Sequence, residues 1–117
     1  MRGMDQKYKG VIIEESLEDK SILKNFEIIS QTVSENLGWH IDTVLVSESD
    51  FEKLAQIIKR GTWYMHFWVK EKMVAIFYGK IFSFDFNDKT SWEPVLKYGL
   101  SLGIPEEQLD FPIDDWY

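Results

Sequence analysis

Apolar and polar residues alternate with a period of two over three stretches in the second half of the chain. This period places successive side chains on opposite faces of a strand. It predicts strands over residues 63–70, 73–78 and 81–86, joined by the short turns Glu71-Lys72 and Gly79-Lys80. Three consecutive antiparallel strands with such turns form a meander.

Two further strands are predicted in the first half, over residues 26–33 and 39–46, with the polar loop 34–38 between them. A five-residue loop that contains glycine suits an antiparallel hairpin. A helix over 27–37 is the competing interpretation, because apolar residues there also fit helical spacing. The β-branched content favours strand. A short β-branched run within residues 8–15 predicts the first strand of the chain.

Apolar residues at helical spacing predict two main helices, over residues 49–60 and 91–102. In the first helix, Ser49 begins a capping-box pattern, and Gly61 is placed to end the helix. In the second helix, Ser91 is the predicted N-cap. Both helices therefore carry start signals of their own.

The predicted elements follow the order β, short α, β-β, α, β-β-β, α. Runs of strands with separate helices are typical of the α+β class. We therefore predict an antiparallel sheet of about five to six strands with two main helices packed on one face. The length of 117 residues suits a single domain over 1–117, with loose tails expected at 1–6 and 112–117.

Charge and composition exclude several classes of function. The formal net charge of −7 argues against nucleic acids and anionic membrane surfaces, which attract basic proteins. No apolar run is long enough for a membrane span, and the start of the chain lacks a signal-peptide pattern, so the cytoplasm is the expected location. The absence of cysteine rules out disulfides and thiolate metal sites. No glycine-rich phosphate loop or zinc motif is present, so no cofactor and no metal are predicted.

Two motifs near the ends of the chain resemble those of a known family. Residues 8–17 are YKGVIIEESL and residues 98–111 are YGLSLGIPEEQLDF. Both are similar to motifs in a family of small uncharacterised prokaryotic proteins, which also has an aromatic-rich segment ending in a strand like Lys80-Ile81-Phe82. The resemblance implies a small soluble domain. It implies no activity, substrate or catalytic residue.

Aromatic residues are concentrated in the predicted meander, where half of them lie between Trp63 and Phe86. On the strand prediction, one sheet face carries a set of aromatic side chains with a histidine among them: Tyr64, His66, Trp68 and Tyr78. Tyrosine and tryptophan suit interfaces because they combine a large apolar area with a polar group. The first hypothesis is therefore a non-enzymatic domain that uses this face to bind a small ligand, another protein or a second copy of itself as a homodimer. Ordinary packing of the sheet is the alternative explanation.

The two histidines of the chain suggest a second hypothesis, in which the protein is a small enzyme. If the strands that carry them were neighbours, His40, Asp42 and His66 could form a two-histidine, one-carboxylate metal site or a general-base group. No ligand spacing in the sequence supports such a site. Whether the protein is an enzyme is left open by the sequence.

The acidic C-terminal stretch suggests a third hypothesis. No lysine or arginine follows Lys97, whereas several aspartates and glutamates do. Such a stretch is normally solvated surface. It would also suit an acidic inhibitor or an immunity-type partner of a basic protein.

Overall fold

The computed structural model describes residues 7–109 and residue 111, which contain six strands and two α-helices. The strands are β1 (Lys7–Ile13), β2 (Glu27–Val33), β3 (His40–Ser47), β4 (Met65–Val69), β5 (Lys72–Phe77) and β6 (Lys80–Asp85). The helices are α1 (Phe51–Ile57) and α2 (Glu93–Ser101). All strand pairs are antiparallel, which confirms the predicted α+β class and strand number. The predicted tails, 1–6 and 112–117, lie outside the described residues.

β1 lies in the middle of the sheet, although it precedes all the other strands in the chain. The strand order is β2-β3-β1-β4-β5-β6, so β1 separates the predicted hairpin, β2–β3, from the predicted meander, β4–β6. Both of these local units are confirmed. β1 pairs with β3 along its whole length but with β4 only over Lys9–Val11.

The central strands carry large apolar residues on both faces of the sheet. Phe67 of β4 points to the face covered by α1, where it packs with Leu54. Its neighbours His66 and Trp68 point to the opposite face, and Trp68 packs there with Val95 of α2. The prediction that both helices pack on one face is therefore wrong. Each face of β4 and β5 is apolar, and each needs its own cover to be removed from water.

β1 and β4 approach each other closely where Gly10 lies opposite Phe67. A Cβ atom added to Gly10 would lie 1.9 Å from Phe67 Cδ1 and 2.6 Å from the carbonyl oxygen of His66. The ring of Phe67 therefore occupies the space that any side chain at Gly10 would need. Glycine is required here for close contact between the two strands.

α1 begins with a different cap from the predicted one. The capping box is formed by Ser47 and Asp50, and the Asp50 carboxylate accepts the Ser47 backbone N–H at 2.9 Å. The prediction of Ser49 as the cap is wrong, because the 3₁₀ turn Glu48–Asp50 already starts the helical path.

α1 also ends earlier than predicted. Its last residue is Ile57, after which Ile58 is extended and forms an antiparallel bridge with Leu17. This bridge draws the chain away from the helix before Gly61 is reached. The prediction that Gly61 ends the helix is therefore wrong.

α2 is preceded by the 3₁₀ turn Lys89–Trp92, and Asp88 caps that turn by accepting the Thr90 backbone N–H at 3.2 Å. Ser91, the predicted cap, instead accepts the Asp85 backbone N–H at 2.9 Å and ties the turn to the end of β6. No helix within the described residues is long and apolar enough to cross a membrane.

Candidate functional site

A cavity of about 330 Å³ lies where β1 and β4 separate in the middle of the sheet. Val11 and His66 form the last pair between the two strands, and both line the cavity. β1 continues from there to Ile13 along β3, whereas β4 continues to Met65 along β5. The gap between the diverging strands holds the cavity, which we call the β1–β4 cavity.

The local sequence explains why the two strands diverge. β1 ends where the 3₁₀ turn Glu14–Ser16 begins. On the other side, residues 62–64 lead into β4 without belonging to a strand, and two of them are the bulky Trp63 and Tyr64. Pairing between β1 and β4 ends close to both of these points, at Val11 and His66.

The lining of the β1–β4 cavity is mostly apolar and aromatic. It consists of Val11, Ile13, Trp39, Thr62, Trp63, Tyr64, Met65, His66 and Gln108. Trp39 and Trp63 lie side by side, with ring centroids 5.0 Å apart and planes inclined by 54°. Both are half-buried, so part of each side chain remains accessible to a ligand.

Few polar groups face the cavity, and their positions are held by neighbouring contacts. The Tyr64 hydroxyl donates a hydrogen bond to the Gln108 carbonyl oxygen, which ties β4 to the segment after α2. Thr62 and His66 also contribute polar atoms, whereas no lysine, arginine, aspartate or glutamate is among the described residues of the lining. Such a surface can stack on a flat ring and offer a few hydrogen bonds to a neutral molecule.

His66 is held between two aromatic rings. It stacks on Trp68 with centroids 5.2 Å apart and meets the edge of Phe111 at 5.8 Å. His66 is 8% exposed and Trp68 is 4% exposed, because α2 and the segment that follows it cover this face. Of the aromatic residues predicted to form a binding face, Tyr64 and His66 line the cavity, whereas Trp68 lies beneath the cover.

Tyr78, the fourth residue of the predicted binding face, lies elsewhere. It occupies the turn between β5 and β6 and is 40% exposed. The guanidinium of Arg60 lies 4.4 Å from the centre of its ring, a cation–π contact near the end of α1. The structure therefore brings Tyr64, His66 and Trp68 together and leaves Tyr78 apart from them.

The two histidines of the chain do not meet. β1 lies between β3 and β4, so the strands that carry His40 and His66 are not neighbours. Asp42 shares the α1 face with its pairing partner Ile12, whereas His66 lies on the α2 face. Within the described residues, no group of three or more histidine, aspartate or glutamate side chains is arranged to hold a metal ion. The set His40, Asp42 and His66 is thus not assembled into one site.

His40 instead forms an ion pair with Glu15. Its Nδ1 lies 2.6 Å from Glu15 Oε2, and its backbone N–H donates to Glu15 Oε1 at 2.8 Å. The hydrogen bonds from the side chain and backbone of His40 lower the pKa of Glu15 to about 2. The hydrogen bond and the charge of Glu15 raise the pKa of His40 in return. This exposed pair attaches the turn after β1 to the start of β3.

Asp42 is fully buried, and neither of its side-chain oxygens has a hydrogen-bond donor within the described part of the chain. Glu14 lies near it and is half-buried. Two carboxylates cannot donate to each other, but a protonated Glu14 can donate to Asp42. This hydrogen bond, followed by burial and the negative charge of Asp42, raises the pKa of Glu14, although His40 and Lys20 act in the opposite direction.

Replacing Glu14 with glutamine is expected to stabilise the protein at neutral pH. A carboxyl group whose pKa is higher in the folded state binds more protons there, so its contribution to stability is present at low pH and is lost as the pH rises through that pKa. The amide of the introduced glutamine would donate to Asp42 at every pH. We expect a gain of about 1 kcal/mol in the free energy of unfolding at pH 7, shrinking towards pH 4. Urea denaturation between pH 4 and pH 7 measures the gain in the free energy of unfolding and its dependence on pH.

The matched control for this prediction is Glu18→Gln, since Glu18 is an exposed carboxylate on the same stretch of chain. Its replacement should change stability by less than about 0.5 kcal/mol at either pH. A loss of stability in the Glu14→Gln variant at pH 7 would contradict the account of the buried carboxylate.

Sequence reasoning missed Trp39 and Trp63 as cavity residues. Trp39 follows a loop that ends in glycine and immediately precedes β3. Trp63 also follows a glycine-containing loop and lies just before the start of β4. Aromatic residues at such positions lie at the ends of strands rather than in the middle of a sheet. This position next to a loop is the sequence signal that could have indicated a role in the cavity. Their contact with each other depends on the positions of β3 and β4 on either side of β1, which the alternating pattern does not contain.

The β1–β4 cavity thus combines a pair of tilted indole rings with an imidazole that lies between two further aromatic rings. No protein-family model, no curated protein and no solved structure matches the chain.

Proposed function

We propose that the protein is a non-enzymatic binding domain whose β1–β4 cavity holds a small, neutral molecule with a flat ring. The observation that supports this most directly is the cavity of about 330 Å³ beside the Trp39–Trp63 ring pair. Its volume lies at the lower end of the range of about 300–1,000 Å³ that is typical of small-molecule sites. We further propose that the protein acts in the cytoplasm and binds no nucleic acid, in keeping with its acidic charge.

The chemistry of the lining narrows the class of ligand. A ring entering the cavity would meet the indoles of Trp39 and Trp63, and burial of aromatic area in such a site is favourable. A charged ligand would lose its hydration without meeting an opposite charge among the described lining residues. A neutral one- or two-ring compound with a single hydrogen-bonding group fits these conditions.

The proposal is tested with a library of small neutral aromatic compounds added to ¹⁵N-labelled protein. We expect binders to shift the indole N–H signals of Trp39 and Trp63 and to leave that of Trp92 unchanged. Trp92 is a suitable internal reference because its indole N–H donates to the Asp85 carbonyl oxygen at 2.8 Å, in the α2 layer.

Trp39→Ala is expected to weaken the binding of any such compound by about tenfold or more, because it removes one of the two stacking rings. Tyr78→Ala is the matched control, since Tyr78 is an aromatic residue of the face predicted from the sequence but lies outside the cavity. Binding that is equally tight in the wild type and in Trp39→Ala would contradict the proposed site, and so would the absence of any binder in the library.

The enzyme hypothesis has no observation in its favour beyond the presence of histidines. His40 is exposed and paired with Glu15, and His66 is clamped between rings in the α2 layer. Either histidine would have to act as a catalytic group without the other. The homodimer hypothesis would need a contact other than Trp68, because that side chain is buried beneath α2.

A further inference from the structure

A second concave site lies on the α1 face of the sheet, between the start of α1 and the edge strand β6. Its volume is about 260 Å³. Tyr8, Phe51 and Val74 form its apolar floor, and the carboxylates of Glu48 and Glu52 lie at its rim. We call this site the acidic groove.

The floor of the acidic groove contains the Tyr8 side chain, whose hydroxyl group is not engaged by the described residues. Tyr8 is only 6% exposed and meets Phe51 edge-on, with ring centroids 5.1 Å apart. Within the described residues its hydroxyl makes no hydrogen bond. The ring is largely buried while the hydroxyl keeps access to the groove, so this group is available for a hydrogen bond with a bound molecule.

The rim of the groove carries two negative charges that are not neutralised. Glu48 and Glu52 are four residues apart on the path into α1, and both line the groove. In the described part of the chain, neither forms an ion pair with a lysine, arginine or histidine. Like charges at this spacing repel each other, and a cation between them would remove that repulsion.

The groove opens towards an edge of the sheet where β6 pairs with no further strand among the described residues. β6 is the last strand in the sheet order, and its residues Ile81 and Ser83 line the groove. Ile81 is exposed. An extended peptide can add to such an edge, and its alternate side chains would then point towards the groove.

We propose that the acidic groove receives the side chain of a lysine or arginine from an extended basic segment of a partner protein lying along β6. The cationic head would lie between Glu48 and Glu52, where the Tyr8 hydroxyl oxygen accepts a further hydrogen bond. The apolar stem would pack on Phe51 and Val74, as long basic side chains do on apolar surfaces. The net charge of −7 favours the approach of a basic partner.

The test uses three probes followed by the amide signals of β6: a blocked pentapeptide with a central lysine, the same peptide with norleucine, and butylamine. We expect the lysine peptide to bind in the millimolar range, and its affinity to fall with added salt. The norleucine peptide, which keeps the stem without the charge, should bind about tenfold more weakly. Butylamine should also bind more weakly, because it cannot pair with the β6 edge.

Variants separate the two rim charges from the general charge of the protein. Glu48→Gln and Glu52→Gln together should weaken binding of the lysine peptide by about tenfold, and each alone by about threefold. Glu27→Gln is the control, since it removes an equal charge from the exposed strand β2. Tyr8→Phe should weaken binding without lowering the melting temperature, because no hydrogen bond within the described protein is lost.

Three results would each overturn the proposal. They are equal binding of the lysine and norleucine peptides, equal binding of butylamine and the lysine peptide, and unchanged affinity in the double glutamine variant. None of these results bears on the β1–β4 cavity, which shares no lining residue with the acidic groove and has no charged side chain among its lining residues that the structure describes.

Discussion

Gly10→Ala is expected to destabilise the protein by about 3 kcal/mol or more, at the upper end of the cost of overpacking a core. The added methyl group would lie 1.9 Å from Phe67 Cδ1, about half of a normal carbon–carbon contact of roughly 3.5–4.0 Å. Phe67 is fully buried, so its ring cannot turn out into solvent to make room. The methyl group would also lie 2.6 Å from the His66 carbonyl oxygen, which belongs to the backbone of β4 and cannot rotate away.

Chemical denaturation of Gly10→Ala and Gly99→Ala measures this effect against a matched control. A Cβ atom at Gly99 would lie 2.7 Å from Leu109 Cδ2, the end of a flexible side chain. Alanine also favours the helical conformation over glycine by about 1 kcal/mol, so the net change at Gly99 should be small. An unfolding midpoint of Gly10→Ala close to that of the wild type would show that β1 and β4 are not packed as described.

Phe111→Ala is expected to cost about 3–5 kcal/mol, the usual range for removing a buried phenylalanine ring. The ring is fully buried and contacts four others, those of Tyr64, His66, Phe84 and Trp92. Its loss would leave a void that these rigid rings cannot readily fill. Because Tyr64 and His66 also line the β1–β4 cavity, ligand binding should weaken together with stability.

Phe86→Ala is the control for the loss of a ring in the same layer. Phe86 is half-buried and contacts the ring of Trp92, with centroids 5.9 Å apart. Its replacement should cost less than half as much as that of Phe111. Similar losses in the two variants, measured by urea denaturation, would contradict the central position assigned to Phe111.

The hairpin and the meander could be predicted from the sequence because each is formed by residues that are close together in the chain. The alternating pattern that ends in Phe86 predicts the meander, and a glycine-containing loop predicts the β2–β3 hairpin. The position of β1 between these units depends on pairings between residues far apart in the chain. The sequence contains no signal for such pairings, so neither the strand order nor the face taken by each helix followed from it.

For the same reason, only part of the candidate site could be predicted from the sequence. Tyr64 and His66 alternate along one strand, so their common face could be predicted. Trp39 and Trp63 come from different strand ends, and only the completed sheet brings their rings into contact. The cavity exists because β1 and β4 diverge, and no single segment of the chain contains the pattern for that divergence.

The central position of β1 also has a consequence for the order in which the chain folds. The β2–β3 hairpin and the β4–β6 meander can each form from neighbouring residues with little loss of loop entropy, whereas β1 must wait for strands that follow much later. During synthesis, β1 leaves the ribosome before either of its partners exists. Folding is therefore expected to finish with β1 inserting between two preformed units, and until then both of its edges remain open to pairing with other chains.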